Sequence, residues 1–525
     1  MTHRTSDGAS DGASGQRLQH GSSNLIAGAW RPIAGNDIVS RNPAHPSRVV
    51  WSGATRLADV GAAVDAARAA LSAWSRWTVE QRAGVLRRFA EIAKARKDEL
   101  ADLICEETGK AMWESQAEAG LISAKVDITL EEGPRSGRHR IETFEFPMGG
   151  AKTARCHFRP HGVMAVVGPY NFPAHLPNGH IVPALLAGNT VVFKPSDKSP
   201  AVGQMLAEML DAALREAGAP AGVVNLVQGK ADVASALVNH DGIDGVLFTG
   251  SWPVGRRIME ANLDRPGRIV ALEMGGNNPA VIMPDADLYQ AVVEVVRCAF
   301  NTTGQRCTST RRLIVHEAVA DRVIPAVVKA ASSLVIGDPR SGEPVFMGPI
   351  ISEEARSAVF AAERRFAERG GGVILESTAV PGLEGWYLTP SIVMVDRFAL
   401  DVDDCGCDEE VFGPMLRIAV VGSLDEAIEQ ANATRYGLAA SIFTADADAQ
   451  ERFLTEARAG CVNINCGTAG ASSKLPFGGL GHSGNHRPAG AFSLDYCAYP
   501  VATMIEGSDA STLAQGMRVE RDWLV

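Results

Sequence analysis

The chain has 525 residues and carries 50 lysines and arginines against 61 aspartates and glutamates, a formal net charge of −11. Its hydrophobic content of 46% and charged content of 21% are typical of globular proteins and exclude disorder for most of the chain. The acidic balance argues against nucleic acids and membrane surfaces as partners. No apolar run reaches the roughly 18 residues that a membrane-spanning helix needs.

The cysteines and the chain ends indicate a cytoplasmic protein. The nine cysteines are odd in number and irregular in spacing, which is typical neither of a disulfide framework nor of a zinc site, so no metal is expected. Residues 1–23 are rich in serine, glycine and aspartate and lack the apolar core of a signal peptide. We therefore predict a disordered tail at residues 1–23 and a second tail at residues 506–525.

Hydrophobic periodicity predicts a helical region followed by two α/β modules, with a break just after Glu273. From Thr55 to about Ile141, apolar residues recur every three or four positions, as in amphipathic helices. Short apolar runs then alternate with helical stretches, which is typical of parallel strands buried on both faces. Segments 142–160 and 493–504 look extended and lack a local core, so they are candidate sheet edges or oligomer arms. The predicted strands are 162–168, 190–194, 222–227, 245–249 and 269–273, then 312–315, one near 373, and 415–421.

Three polar residues stand at the ends of predicted elements, where α/β proteins place ligands. Cys307 follows Gly-Gln-Arg and is either a reactive thiol or an inert half-buried one; Arg306 beside it favours the nucleophilic thiolate. Glu273 ends an apolar strand and precedes Gly-Gly, so it is either a functional carboxylate or a cap for the next element. Asn171 is either a hydrogen-bond donor to an oxyanion or a turn residue.

Two further segments follow strands and are candidates for nucleotide binding. These are FKPSD at 193–197 and FTGSWPVGR at 248–256. In the second, Gly250 and Ser251 open a helix whose free N–H groups could face a phosphate. The pattern G-x-G-x-x-G occurs only at 479–484, where it follows no clear strand and opens no helix, so that segment is interpreted as a loop.

The ordered motifs GPYNFP, FKPSD, FTGS, LEMGGNNP, GQRC, EEVFGP and LPFGG resemble those of the aldehyde dehydrogenase superfamily, from about Ser23 to about Met504. The resemblance implies an α/β fold with two parallel-sheet domains and a small β oligomerisation arm, and a homodimer or homotetramer. It implies an NAD-binding domain at 24–143 and 160–273, a catalytic domain at 274–482, and the arm at 144–159 and 483–505.

The same resemblance implies the chemical roles. Cys307 matches the nucleophile that attacks the aldehyde to form a thiohemiacetal, which becomes a thioester when a hydride passes to the nicotinamide. Asn171 matches the side chain that stabilises the oxyanion together with the Cys307 backbone N–H. Glu273 matches the general base that activates water to hydrolyse the thioester. Covalent capture and base-assisted deacylation are consistent with these residue types.

The cofactor residues are implied in the same way. Lys194 and Asp197 match positions at the adenosine ribose, and Glu410 matches the residue that holds the nicotinamide ribose, with Phe412 beside it. Because an Asp197 carboxylate bonds a free 2′-hydroxyl but repels a 2′-phosphate, NAD is favoured over NADP. The turn under the diphosphate consists of Gly250, Ser251, Trp252, Pro253, Val254 and Gly255.

Two segments bear on the substrate. His175 and Asn178 share a helix face and suit a hydrophilic substrate, or else serve packing and capping. Arg487 either binds a substrate carboxylate or makes an oligomer salt bridge. Arg306 and Phe477 are further candidate substrate contacts. HLPNGHIVPALLAGN and SGNHRP resemble the branch of the superfamily that oxidises N-succinylglutamate 5-semialdehyde to N-succinylglutamate in arginine catabolism.

Other functions fit the sequence less well. An NAD-linked dehydrogenase of another small carboxylated aldehyde, such as succinate semialdehyde, is the main alternative. A CoA-acylating relative does not need a glutamate at the position of Glu273. A non-catalytic binding protein on the same fold would be free to lose Cys307 or Glu273, and both are present. A cysteine hydrolase lacks a candidate histidine partner for Cys307 and leaves the nucleotide motifs unexplained.

Overall fold

The computed structural model of the chain describes residues 17–133, 136–470, 472–509 and 511–525. Four helices occupy residues 58–130, but the predicted helical region was too long, because two short strands follow from Glu132 to Gly137. Thr78 begins the second helix by accepting a hydrogen bond from the backbone N–H of Gln81. In chain order the first elements are β1 (Ser23–Ile26), β2 (Ala29–Pro32), β3 (Ile38–Asn42), β4 (His45–Gly53), α1 (Ala58–Ser75), α2 (Val79–Ala95), α3 (Lys97–Thr108), α4 (Met112–Leu130), β5 (Glu132–Gly133), β6 (Ser136–Gly137), β7 (Phe144–Gly149) and β8 (Lys152–Pro160).

A seven-stranded sheet with the order β13-β12-β9-β10-β11-β1-β2 follows from the first series of buried apolar runs. Its strands β9 to β13 are parallel, and β1 and β2 extend it antiparallel at one edge. Successive strands are added first on one side of β9, as β10 and β11, and then on its other side, as β12 and β13. The loops after β9 and β12 therefore diverge and leave a crevice at the carboxyl ends of these two strands. The elements are β9 (Val163–Val167), α5 (His175–Ala187), β10 (Thr190–Lys194), α6 (Pro200–Glu216), β11 (Val224–Leu226), α7 (Ala231–Asn239), β12 (Gly245–Thr249), α8 (Trp252–Ala261) and β13 (Ile269–Glu273).

A second seven-stranded sheet begins five residues after Glu273 and has the order β16-β17-β18-β15-β14-β19-β20. All of its neighbouring pairs are parallel except β16 with β17. Asp287 caps α9 by accepting from the backbone N–H of Gln290. The elements are β14 (Asn278–Ile282), α9 (Leu288–Phe300), β15 (Thr310–His316), α10 (Glu317–Ser332), α11 (Glu353–Glu368), β16 (Gly372–Leu375), β17 (Ser391–Met394), β18 (Met415–Val421), α12 (Leu424–Asn432), β19 (Ala439–Phe443), α13 (Ala447–Glu456) and β20 (Cys461–Ile464).

The last strands are β21 (Pro476–Phe477), β22 (Ala489–Gly490) and β23 (Ala498–Glu506). β23 pairs with β8, and β8 with β7, in an antiparallel three-stranded sheet built from the segments that looked extended in the sequence. Residues Ser493–Tyr496 differ from the expectation because they form a 3₁₀ turn. Leu494 in this turn is buried and the Tyr496 hydroxyl bonds His180 of α5, so packing onto α5 favours a turn over extended chain.

The two chain ends differ. The predicted N-terminal tail falls partly on residues 1–16, which lie outside the described residues. Residues 17–23 contact the body of the protein: Arg17 pairs with Glu106 at 2.7 Å, and the backbone N–H groups of Gln19 and His20 donate to Glu208. The residues described after Glu506 are exposed. Within the described ranges, no helix is both long and apolar enough to cross a membrane.

Candidate active site

A cavity of about 960 Å³ lies at the carboxyl ends of the first sheet, at the crevice beside β9 and β12. Its volume is at the upper end of the roughly 300–1,000 Å³ common for small-molecule sites, which suits an extended ligand. Two residues of the predicted diphosphate turn do not line it: Trp252 stacks on His482 at 3.9 Å, and Gly255 is buried inside α8. The sequence-predicted residues that line the cavity are Asn171, Lys194, Asp197, Gly250, Ser251, Pro253, Val254, Cys307, Glu410 and Phe412.

Cys307 and Glu273 face each other although they are 34 residues apart in the chain. Cys307 Sγ lies 4.0 Å from Glu273 Oε1. Glu273 is only 5% exposed, and burial raises the pKa of its carboxyl to about 8. Its Oε2 atom is buried without a hydrogen-bond partner among the described residues. A carboxyl group with a pKa near neutral pH and one oxygen not engaged by the described residues has the properties of a general base.

The loop before Cys307 has an unusual backbone. Thr302 and Thr303 adopt left-handed conformations with φ of 53° and 55°, followed by Gly304 with φ of 68°. Consecutive left-handed residues with a Cβ are costly, so other contacts must stabilise them. Glu114 of α4 accepts from the backbone N–H of Thr302 at 2.9 Å and from its hydroxyl at 2.7 Å. This carboxylate therefore holds the turn that presents the thiol.

Asn171 lies against the same loop. Its Nδ2 donates to the backbone oxygen of Gln305 at 2.9 Å, which leaves its second amide hydrogen available to a ligand. Its own backbone oxygen accepts from the buried Lys110 ammonium at 2.7 Å. Lys110 also pairs with Glu118, whose other oxygen accepts from the backbone N–H groups at the start of α5. A buried ion pair thus fixes Asn171 beside the nucleophile.

The charges around Cys307 are mixed. Burial, Glu273 and Glu410 raise the pKa of the Cys307 thiol, while Arg311 and then Arg306 lower it. The sequence suggested Arg306 as the residue that favours the thiolate. In the structure the Arg306 guanidinium donates to Glu114 at 2.6 Å and to the Thr302 hydroxyl at 2.8 Å, so most of its charge is directed at the strained turn.

Three parts of the cavity wall have features that fit a dinucleotide. Glu410 Oε1 accepts from the backbone N–H of Gly276 at 3.0 Å, and a Cβ on Gly275 would lie 2.0 Å from Glu410 Oε2, so a larger residue at position 275 would displace this carboxylate. Lys194 ends β10 and is buried, and burial lowers the pKa of its ammonium. The ten-residue helix α8 begins at Trp252, beside Ser251 in the cavity wall, so its free N–H groups lie where a phosphate would bind.

The predicted substrate residues are not all brought together. Asn178 Nδ2 donates to the Ile122 backbone oxygen and ties α5 to α4, and its buried Oδ1 has no partner within the part of the chain that the structure describes. His175 is half-buried, and its Nδ1 has no hydrogen-bond partner in the described ranges. Burial, Lys125 and Lys110 lower its pKa to about 4, so its ring is neutral at pH 7.

None of the five predicted substrate residues lines the cavity: His175, Asn178, Arg306, Phe477 and Arg487 all lie outside its wall. Phe477 lies in β21, paired with Ala489 of β22. Gly484 stands opposite Glu273 in an antiparallel bridge, and the next residue, Asn485, bonds the backbone of Val270 and Leu272. The chain therefore runs toward the amino end of β13. Arg487 follows in that direction and is exposed, so the structure does not bring it to Cys307.

Sequence reasoning missed the charged residues that support the site. Lys110, Glu114 and Glu118 are buried on or next to α4, and Arg311 is buried in β15. A signal was present, because Glu114 and Glu118 occur at the four-residue spacing of the buried face of a helix. Arg311 likewise stands with Arg312 just before the apolar run 313–315, four residues after Cys307.

The profile described as "Aldehyde dehydrogenase family" matches residues 30–501. The "N-succinylglutamate 5-semialdehyde dehydrogenase" of Caulobacter sp. (strain K31) is 45% identical over 499 residues, covering 94% of this chain and 99% of that protein. The solved "E. coli NADP dependent enzyme" is 32% identical with a TM-score of 0.85, covering 93% of this chain and all of that one. The 1-pyrroline-5-carboxylate dehydrogenase from Thermus with bound NAD is 28% identical with a TM-score of 0.85, covering 94% of each chain. The chain belongs to the aldehyde dehydrogenase family and oxidises aldehydes with a nicotinamide cofactor.

Proposed function

We propose that the protein oxidises N-succinylglutamate 5-semialdehyde to N-succinylglutamate with NAD. The observation that carries this proposal is the near-complete match to the Caulobacter relative, at 45% identity over 94% of the chain, together with the facing pair Cys307 and Glu273. The alternative substrate class, a small carboxylated aldehyde such as succinate semialdehyde, differs in length but not in reacting group.

In the proposed mechanism the Cys307 thiolate attacks the aldehyde carbon, and the carbon–sulfur bond forms as the carbonyl oxygen becomes an alkoxide. The free amide hydrogen of Asn171 and the backbone N–H of Cys307 donate to this oxygen. Glu410 and Phe412 in the cavity wall would hold a nicotinamide cofactor, which would supply the acceptor for the hydride that the former aldehyde carbon loses as it becomes a thioester. Glu273 then takes a proton from water, and the hydroxide attacks the carbonyl carbon of the Cys307 thioester. The carbon–sulfur bond breaks, which releases the acid as product and leaves Cys307 as a thiolate.

Asp197 supports NAD as the preferred dinucleotide. It lines the cavity together with Lys194, and an aspartate carboxylate accepts hydrogen bonds from a free ribose but repels a 2′-phosphate. The two solved relatives differ in their dinucleotide, because one has bound NAD and the other is an NADP-dependent enzyme. The preference therefore depends on the residues of this chain and on a direct comparison of the two dinucleotides.

Lys125 supports a carboxylated substrate. It is 3% exposed on α4, and its Nζ donates to the Gly490 backbone oxygen at 2.6 Å and to the Ser493 hydroxyl at 3.2 Å. Among the described residues it has no carboxylate partner, and buried ammonium groups are usually paired. Lys125 does not line the cavity, but together with Lys110, the residue that fixes Asn171, it lowers the pKa of His175, so it lies on the α4 side of the site. We assign the far carboxylate of the substrate to this side.

The domain ranges and the oligomer are part of the proposal. We assign NAD binding to 24–143 and 160–273, the nucleophile to 274–482 and the oligomer arm to 144–159 and 483–505. The antiparallel sheet β23-β8-β7 exposes Phe144, Phe146 and Met148 on its edge strand, which supports a homodimer or homotetramer. The nine cysteines are free thiols, which supports a cytoplasmic location.

The test is steady-state reduction of NAD with three aldehydes: N-succinylglutamate 5-semialdehyde, succinate semialdehyde and a neutral aliphatic aldehyde of similar size. We expect the highest kcat/KM with the first. A higher kcat/KM with succinate semialdehyde would transfer the proposal to the alternative, and a preference for the neutral aldehyde would contradict both. Repeating the best reaction with NADP measures the cofactor preference in the same assay.

A further inference from the structure

Arg311 makes contacts that the proposed mechanism does not use. It is the second residue of β15, four positions after Cys307, and is only 3% exposed. Its Nε donates to the Gly276 backbone oxygen at 3.1 Å, and one terminal nitrogen donates to the Arg306 backbone oxygen at 3.0 Å. The guanidinium also donates to the backbone oxygens of Gly304 and Val411. Every side of the planar group is therefore engaged.

The acceptors belong to three separate parts of the site. Gly304 and Arg306 lie in the loop that presents Cys307, and Gly276 follows the strand that ends in Glu273. Val411 stands between the two predicted cofactor residues, Glu410 and Phe412. The guanidinium lies 3.6 Å from Glu410 Oε1 and over the Phe412 ring at 5.3 Å. One side chain thus joins the nucleophile loop, the base strand and the cofactor wall.

Arg311 also differs from Arg306 in how its charge is used. Arg306 has a close carboxylate partner in Glu114, at 2.6 Å. Arg311 donates mainly to neutral carbonyl groups, and its carboxylate neighbour Glu410 is 3.6 Å away. Of the two cations that lower the pKa of the Cys307 thiol, Arg311 has the larger effect. Its positive charge is therefore less neutralised than that of Arg306 and is available to the sulfur.

We propose that Arg311 is a positioning residue that holds the Cys307 loop in register with Glu410 and provides the main positive charge facing the thiolate. The proposal rests on the roles assigned above to Cys307 and Glu410. It makes two separable claims. The charge favours the thiolate before any cofactor binds, and the fork of hydrogen bonds sets the position of Glu410 against the nicotinamide ribose.

The neighbouring residue Arg312 provides a matched control. It is also buried, at 1% exposure, and it also donates to backbone oxygens: those of Asn277, Gln430 and Ala431. None of these acceptors lies in the Cys307 loop or at residues 410–412. Removal of either guanidinium leaves buried carbonyl groups unpaired and lowers stability, but of the two only Arg311 contacts the Cys307 loop and the cofactor wall.

The experiment compares the full-length parent with Arg311→Met, Arg311→Lys and Arg312→Met. Iodoacetamide modification of Cys307, followed by mass spectrometry of its peptide without cofactor, reports the thiolate as a function of pH. We expect the pH midpoint of Cys307 modification to rise by about one pH unit in Arg311→Met. In Arg311→Lys, which keeps the positive charge, we expect this midpoint to stay near that of the parent. We expect KM for NAD to rise about tenfold in both Arg311 variants, because a lysine cannot make the bidentate fork.

Arg312→Met is expected to lower the urea midpoint of unfolding while the pH profile and KM stay at the parent values. If Arg311→Met changes only the urea midpoint, the residue is structural and the proposal is overturned. If Arg311→Met fails to fold, Arg311→Lys still decides the claim about Glu410 through KM. Cys307→Ala, assayed in parallel, separates a failure of the proposed mechanism from a failure of the proposal on Arg311. Retained turnover in Cys307→Ala would refute the mechanism itself, whatever the Arg311 variants show.

Discussion

Replacement of Glu273 by glutamine tests the proposed base while preserving the size of the side chain. Burial raises the pKa of this carboxyl to about 8, so it is about one tenth ionised at pH 7 and about nine tenths ionised at pH 9. If deacylation limits turnover, kcat of the parent rises about tenfold across this range. In Glu273→Gln we expect this pH dependence to disappear and deacylation to slow by about 10²–10⁴-fold.

The assay is rapid mixing of enzyme, aldehyde and excess NAD with NADH absorbance as the signal. Because thioester formation does not need the base, Glu273→Gln should release close to one equivalent of NADH per site in a burst and then turn over slowly. The reasoning is refuted if the burst slows as much as the steady state, since Glu273 would then act before the thioester. It is equally refuted if the variant keeps the pH dependence of the parent.

A folding control uses the same pKa shift. The carboxyl binds its proton more tightly in the folded protein than in the unfolded chain, where its pKa is near 4.5. This group therefore lowers stability as pH rises from about 4.5 to about 8, because the unfolded chain releases the proton first. Glu273→Gln should remove this part of the pH dependence of the urea midpoint without unfolding the protein.

Four further substitutions, with a fifth as a comparison, are expected to separate the roles of the remaining residues. Cys307→Ala should abolish NAD reduction while NADH binding, followed by fluorescence titration, stays within about twofold; steady turnover would exclude the nucleophile. Asn171→Ala should lower kcat by about 100-fold with a smaller change in KM, and the opposite pattern would assign it to substrate binding. Asp197→Ser should raise the ratio of kcat/KM for NADP over NAD by about tenfold, and an unchanged ratio would remove Asp197 from the cofactor preference. Lys125→Gln should raise KM for a dicarboxylated aldehyde by about tenfold but leave KM for a neutral aldehyde unchanged. Arg487→Gln, at an exposed position away from the cavity, serves as the comparison. Equal effects of Lys125→Gln on both aldehydes would contradict its role.

The sequence identified the parts of the site that lie directly after strands. Lys194, Glu273 and the turn from Gly250 each follow an apolar run, and parallel strands bring their carboxyl ends to one edge. Local pattern was therefore enough to predict that Lys194 and the turn from Gly250 line one cavity; Glu273 does not line it itself but precedes Met274, which does. Cys307 was identified by its motif, and the structure places it 4.0 Å from the base.

Contacts between distant parts of the chain could not be predicted in this way. Arg306 was interpreted from its neighbour Cys307, yet its closest partner is Glu114, 192 residues earlier. Arg487 was interpreted from its proximity to a family motif, but the path of its loop depends on the pairing of Gly484 with Glu273. Hydrophobic periodicity contains no information about such pairings, because they depend on how separately formed elements pack.

The left-handed turn at Thr302 and Thr303 has a consequence for how reactivity is acquired during synthesis. The carboxylate that stabilises this turn belongs to Glu114, on a helix of the amino-terminal region, whereas the cysteine belongs to the second sheet. Two left-handed residues cost roughly 1–2 kcal/mol each, so the second sheet on its own would relax the turn and misdirect the thiol. A chain without the amino-terminal region would therefore lack the contact that holds this turn, and the thiol would be aligned with Glu273 only after both parts had joined.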